Sequence, residues 1–89
     1  MRIVSEWNHK DIKVTAFHMN GRYSIKLETN LLEQWYKFRD GQIESVEQLK
    51  KLLDGTFYDS VEKGFKSMTD QRDALFEKLL NELDFDEII

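Results

Sequence analysis

The residues best suited to proton transfer near neutral pH, or to metal ligation, are His9 and His18. Neither stands three or four positions from another ligand-type residue on a helix, so no zinc motif can be read. His9 falls in a predicted turn. His18 sits beside Tyr23 at the end of a strand, an arrangement that reads as an edge-of-core pair rather than a catalytic one. The chain has no cysteine, which removes thiol nucleophiles, thiolate metal sites and disulfides. It carries no G-x-S-x-G and no phosphate-binding glycine loop, and Ser24, Ser45, Ser60 and Ser67 have no identifiable base. Asp84, Asp86 and Glu87 cluster at the C-terminus and read as solvated charge. The expectation is a non-catalytic protein without metal or cofactor.

Binding chemistry is better represented. Phe17, Met19 and Trp35, together with Val4, alternate onto one side of the predicted sheet with Lys13, Arg22, Lys26 and Lys37 around them. Aromatic rings among basic side chains are the ingredients of a single-strand nucleic-acid platform, where bases stack and phosphates meet cations. Glu6, Glu28 and Glu33 share that face and would repel phosphate. The competing expectation is a cross-strand aromatic cluster, or a face covered by a second subunit or a helix end. The other candidate surface is Leu75, Phe76, Leu79, Leu80 and Leu83, which continue a helical stripe further than one small sheet can cover.

The elements that must position these groups are legible from two periods. Asn20-Gly21 lies between two alternating runs and favours a type I′ turn, with positive φ at both residues. Counting outward pairs His18 with Tyr23, Ala16 with Ile25 and Val14 with Leu27 on one face. Met19–Arg22, Phe17–Ser24, Thr15–Lys26 and Lys13–Glu28 fall on the other. If Asn8–Asp11 is a loop, Trp7 faces Ile12 and Glu6 faces Lys13, giving a charge row Glu6–Lys13–Glu28. If Thr29-Asn30 is a short turn, Leu27 faces Leu32, Lys26 faces Glu33, Ser24 faces Trp35 and Tyr23 faces Tyr36. The predicted core face is Ile3, Trp7, Ile12, Val14, Ala16, Tyr23, Ile25, Leu27, Leu32, Tyr36 and Phe38.

Helical spacing then takes over. Ser45-Val46-Glu47-Gln48 has the form of a capping box, and Val46, Leu49, Leu52 and Leu53 share a face up to Asp54-Gly55, where glycine fits the C′ position. Thr56–Asp59 reads as a second cap. From there apolar residues recur at Phe57, Val61, Phe65, Met68, Leu75, Leu79 and Leu83, with Arg72 the one polar position in the stripe and Gly64 a weak point. One long helix is preferred over a hairpin broken near Thr69, because nothing at Ser67–Asp70 forces the chain to turn. Such a helix outruns an eight-residue strand, about 40 Å against about 26 Å. Leu75 to Leu83 then need an association partner, most simply a second copy.

Charge follows the same division. Residues 1–39 hold seven basic against four acidic residues, and residues 40–89 six against thirteen, for a net charge of −4. That balance weighs against nucleic acid but leaves it open. The first residues lack the apolar run of a secretory signal, and no segment is long and apolar enough for a membrane span, so a cytoplasmic protein is expected.

The hairpin Ile12–Glu28, with Lys26-Leu27-Glu28, Leu32-Glu33-Gln34 and Tyr36-Lys37-Phe38 and an acidic helical half behind them, resembles small uncharacterised bacterial proteins with a strand meander followed by helices. That resemblance implies no function and no site residues. The expected fold is α+β: a four-stranded antiparallel meander over about 2–8, 12–19, 22–28 and 31–39, then a short helix over about 45–53 and a long one over about 57–83, packed on one sheet face. Residues 1–83 form the single domain, and 84–89 a frayed acidic tail. The expected function is a small interaction domain that self-associates, or meets a partner helix, through the long helix. The alternative is an anionic ligand or single-stranded nucleic acid on the aromatic-basic sheet face.

Overall fold

A computed structural model describes the backbone of residues 2–88 and the side chains of residues 2–82. Leu83 and the expected tail at 84–89 thus lie outside the described side chains. The elements are β1 (Arg2–His9), β2 (Ile12–Met19), β3 (Arg22–Glu28), β4 (Glu33–Lys37), α1 (Val46–Leu52) and α2 (Gly55–Ile88). The four strands form one antiparallel sheet in the order β1-β2-β3-β4, an α+β meander followed by a short and a long helix.

The central hairpin follows from its turn. Asn20 and Gly21 both take positive φ, 53° and 78°, as a type I′ turn requires. The pairs Met19–Arg22 through Lys13–Glu28 then fall in the predicted register.

The two flanking pairings differ from expectation. The first connection is a two-residue turn at Lys10-Asp11, with Lys10 at φ 54°, so Trp7 faces Val14 and Glu6 faces Thr15. Of the expected charge row only Lys13–Glu28 survives. The ladder is also interrupted between Ile3 and Ser5, where one extra residue offsets the alternation. Ile3 therefore faces Phe17 on the outer side and is exposed, not part of the core. The second connection needs four residues, because neither Thr29 nor Asn30 takes positive φ and a two-residue primed turn cannot form there. A hydrogen bond from Thr29 N–H to the Leu32 carbonyl, 2.9 Å, closes it. The pairing slips by two: Leu27 faces Gln34, Lys26 faces Trp35, Ile25 faces Tyr36, and Glu28 faces Glu33. A slip of two keeps every residue on its face but replaces every partner. Tyr36 remains on the inner side, yet on the edge strand it is 40% exposed and meets the Phe57 ring of α2 edge to face.

Ser45 caps α1 as predicted, its Oγ accepting from Gln48 N–H at 3.1 Å. The return bond from the Gln48 side chain goes one residue further back, accepting from Glu44 N–H at 2.7 Å. Gly55 is not a C′ glycine. Asp54 caps α2 instead, its Oδ1 accepting from Phe57 N–H at 2.9 Å, and Gly55 opens the helix. From there α2 runs unbroken through Ser67–Asp70, the single-helix alternative.

Both helices cover one sheet face. Ile12, Val14, Ala16, Ile25 and Leu27 pack against Leu49 of α1 and Leu53 just after it, Tyr58, Val61 and Phe65 of α2, and Ile43 from the connection. The start of α2 is tied to β1, where Trp7 Nε1–H donates to the Tyr58 hydroxyl at 3.0 Å and His9 stacks on the Tyr58 ring at 3.8 Å. One turn on it meets β4, where Gln34 Nε2–H donates to the Val61 carbonyl at 3.0 Å beside Gly64. A Cβ at Gly64 would stand 2.8 Å from that nitrogen, so glycine here permits the helix and the edge strand to approach. Met68 packs near Leu32, and there the sheet ends.

Candidate interaction surfaces

Two surfaces remain after the core is built. The first is the free half of α2. Every residue from Thr69 to Glu82 is exposed, among them Leu75, Phe76, Leu79 and Leu80 at 67, 54, 49 and 44%. The molecule measures 59 × 28 × 18 Å, with a radius of gyration of 17.7 Å where a compact chain of this length would have about 12 Å. The overhang is the reason. Val61, Phe65, Met68, Arg72, Leu75 and Leu79 succeed one another at steps of four and three, the spacing of a helix-packing seam. Its first half lies on the sheet and its second half on nothing. Arg72 interrupts the seam and pairs with its neighbour, Nη1 lying 3.6 Å from the Asp73 carboxylate.

The second surface is the outer side of the sheet. Trp35 faces Lys26 rather than Ser24, but its ring still stacks on Phe17, with centroids 5.3 Å apart and planes 19° from parallel. Lys26 is engaged there, its Nζ 5.9 Å from the Phe17 centroid, 5.8 Å from the Trp35 centroid and 3.3 Å from Glu28 Oε1. The aromatic pair and Lys26 therefore form a cross-strand cluster, and Thr15, on the same face, is buried. Lys13 lies at the far end of β2, between Asn8 and Glu28. Met19, Arg22 and Lys37 gather at the opposite end, around a cleft beside Phe17. Phe38 and Arg39, which line the same cleft, lie beyond β4; Phe38 also packs against the core, as its predicted face requires.

Both histidines lie against tyrosine rings. His9 stacks on Tyr58 and His18 lies against Tyr23 with ring centroids 4.4 Å apart. Among the described residues no group of three or more His, Cys, Asp or Glu stands where it could hold a metal ion, and no helix is long and apolar enough to cross a membrane. Comparison of the chain with protein-family models, curated proteins and solved structures yields no match.

Proposed function

We propose that this chain is a non-catalytic interaction domain that self-associates through the overhanging half of α2. The observation that carries the reading is the continuity of the seam. The face that Val61, Phe65 and Met68 press onto the sheet is the face that Leu75, Phe76, Leu79 and Leu80 present to solvent. Apolar surface of that extent on a free helix is an association site. A second copy is the occupant that brings an identical stripe, and two-fold pairing satisfies both overhangs with one interface. The flanking positions carry both signs, Asp73 and Glu77 with Lys78, so two copies do not meet as like-charged surfaces. Sedimentation equilibrium across a wide concentration range tests this. A mass that climbs from 10.7 kDa toward twice that value supports self-association. A mass constant at 10.7 kDa refutes it.

A further inference from the structure

The outer sheet face is electrically polarised along its strands, and that polarity points to a small ligand. Same-face residues stand in four levels across the sheet. The lowest holds Asn8, Lys13, Glu28 and Glu33, and the next Glu6, Thr15, Lys26 and Trp35. The upper two hold Ile3, Phe17, Ser24 and Lys37, then Met19 and Arg22. All three carboxylates thus lie in the lower levels, where Glu28 pairs with Lys26 and faces Lys13, Glu33 accepts from the Trp35 indole N–H and Glu6 faces Thr15. In the upper levels Arg22 and Lys37, joined by Arg39, make no ion pair with any described carboxylate.

These cations rim a cleft of about 610 Å³, within the size range of small-molecule sites. Phe17, Met19 and Phe38 line it, Phe38 also packing against the core, and Asp40 is the one acidic residue among its lining. The segment after β4 is held in place. Phe38 N–H donates to the Tyr23 carbonyl at 2.9 Å, Gln42 N–H donates to the Arg39 carbonyl at 3.1 Å, and Arg39 N–H donates to Gln42 Oε1 at 2.7 Å. The Asp40 carboxylate meanwhile rests against Gly21 of the hairpin turn, where no side chain intervenes. Three cations against this one carboxylate leave the lining net positive.

We infer that this cleft binds one small molecule that joins an anionic group to a planar apolar body, the ring lying against Phe17 and Met19 and the anion meeting Arg22, Lys37 and Arg39. Charge-assisted hydrogen bonds from arginine suit a phosphate or carboxylate head, and Phe17 suits a ring. A run of phosphates does not fit, because one step along the strands brings it to Glu6 and two steps to Glu28 and Glu33. The site is independent of α2.

Backbone amide shifts followed by NMR test the inference, in a Leu79→Glu background so that self-association does not move the same signals. Phenyl phosphate is expected to give saturable shifts centred on Arg22, Ser24, Lys37 and Arg39, while inorganic phosphate binds at least about tenfold more weakly. Adenosine monophosphate and benzoate, run separately, distinguish a nucleotide head from a carboxylate. Arg22→Glu with Lys37→Glu is expected to weaken phenyl phosphate by about tenfold or more while leaving shifts in α2 unchanged. Three results overturn the inference. They are no saturable shift up to about 5 mM phenyl phosphate, equal binding of inorganic phosphate, and oligothymidylate binding more tightly with shifts extending to Lys13 and Lys26.

Discussion

Replacing Leu79 by glutamate should return the associated protein to a monomer without touching its fold, and the size of the effect can be worked from exposure. Full burial of a Leu or Phe side chain contributes roughly 1.5–3 kcal/mol. Leu75, Phe76, Leu79 and Leu80 are 67, 54, 49 and 44% exposed, so pairing can still bury the equivalent of about two whole side chains per copy. A dimer then gains roughly 6–13 kcal/mol before the cost of association, which is at least about 4 kcal/mol. The difference runs from about 2 to 9 kcal/mol, and its middle corresponds to a dissociation constant of about 0.1 mM. Leu79→Glu removes roughly 1.5–3 kcal/mol of burial per dimer and sets two carboxylates into an apolar seam, each costing a further few kcal/mol unless paired. Association should weaken by more than about 100-fold. Sedimentation equilibrium between about 0.02 and 0.5 mM brackets the dissociation constant of the unsubstituted chain. The unsubstituted chain should move from 10.7 kDa toward the dimer mass, and the variant should stay at 10.7 kDa. Leu79 lies beyond the sheet, so near-ultraviolet circular dichroism from Trp7 and Trp35 should be unchanged. A variant that associates as well as the unsubstituted chain would show that the seam is not the interface.

Other substitutions probe the seam and the way α2 is seated. Arg72→Leu fills the one polar seam position at the loss of only an exposed ion pair, so association measured the same way should tighten by about tenfold. Tyr58→Phe leaves the half-buried Trp7 indole N–H without its acceptor and should lower stability in urea unfolding by about 1–2 kcal/mol. Gly64→Ala adds about 1 kcal/mol of helix propensity but displaces the Gln34 amide from the Val61 carbonyl, so the net change should be close to zero. In a Gln34→Ala background the same substitution should stabilise by about 1 kcal/mol, and a double-mutant cycle measures the difference as coupling.

How much was legible depended on how local each constraint is. The Asn20-Gly21 turn declares its geometry in two residues, and with it the register of the whole central hairpin. The flanking strands carry no such marker. Lys10-Asp11 and Thr29–Leu32 could close at more than one length, and both pairings settled two residues away from expectation. Since side chains alternate with period two, face assignments survived that slip while neighbours did not. Ile3 is the case where even the face changed, because an interruption near the end of β1 leaves no trace in an alternating pattern. Tyr58 was missed for a related reason. It stands one step of three before Val61, on the seam itself, whereas the stripe read from Phe57 passes it by, and Trp7 and His9 of β1, far away in sequence, meet it there.

The sequence by itself determined the class of fold, the one well-specified hairpin, the caps at Ser45 and the overrun of the long helix, because turns, caps and hydrophobic period are properties of a few neighbouring residues. The tertiary structure alone decided which basic residues are occupied and which are open. Lys26 and Lys37 look alike along the chain. One is enclosed by Phe17, Trp35 and Glu28, and the other stands at a cleft whose far wall comes from Phe38 and Arg39. That difference rests on cross-strand distances and on where the chain passes after β4. No periodicity within a strand encodes either.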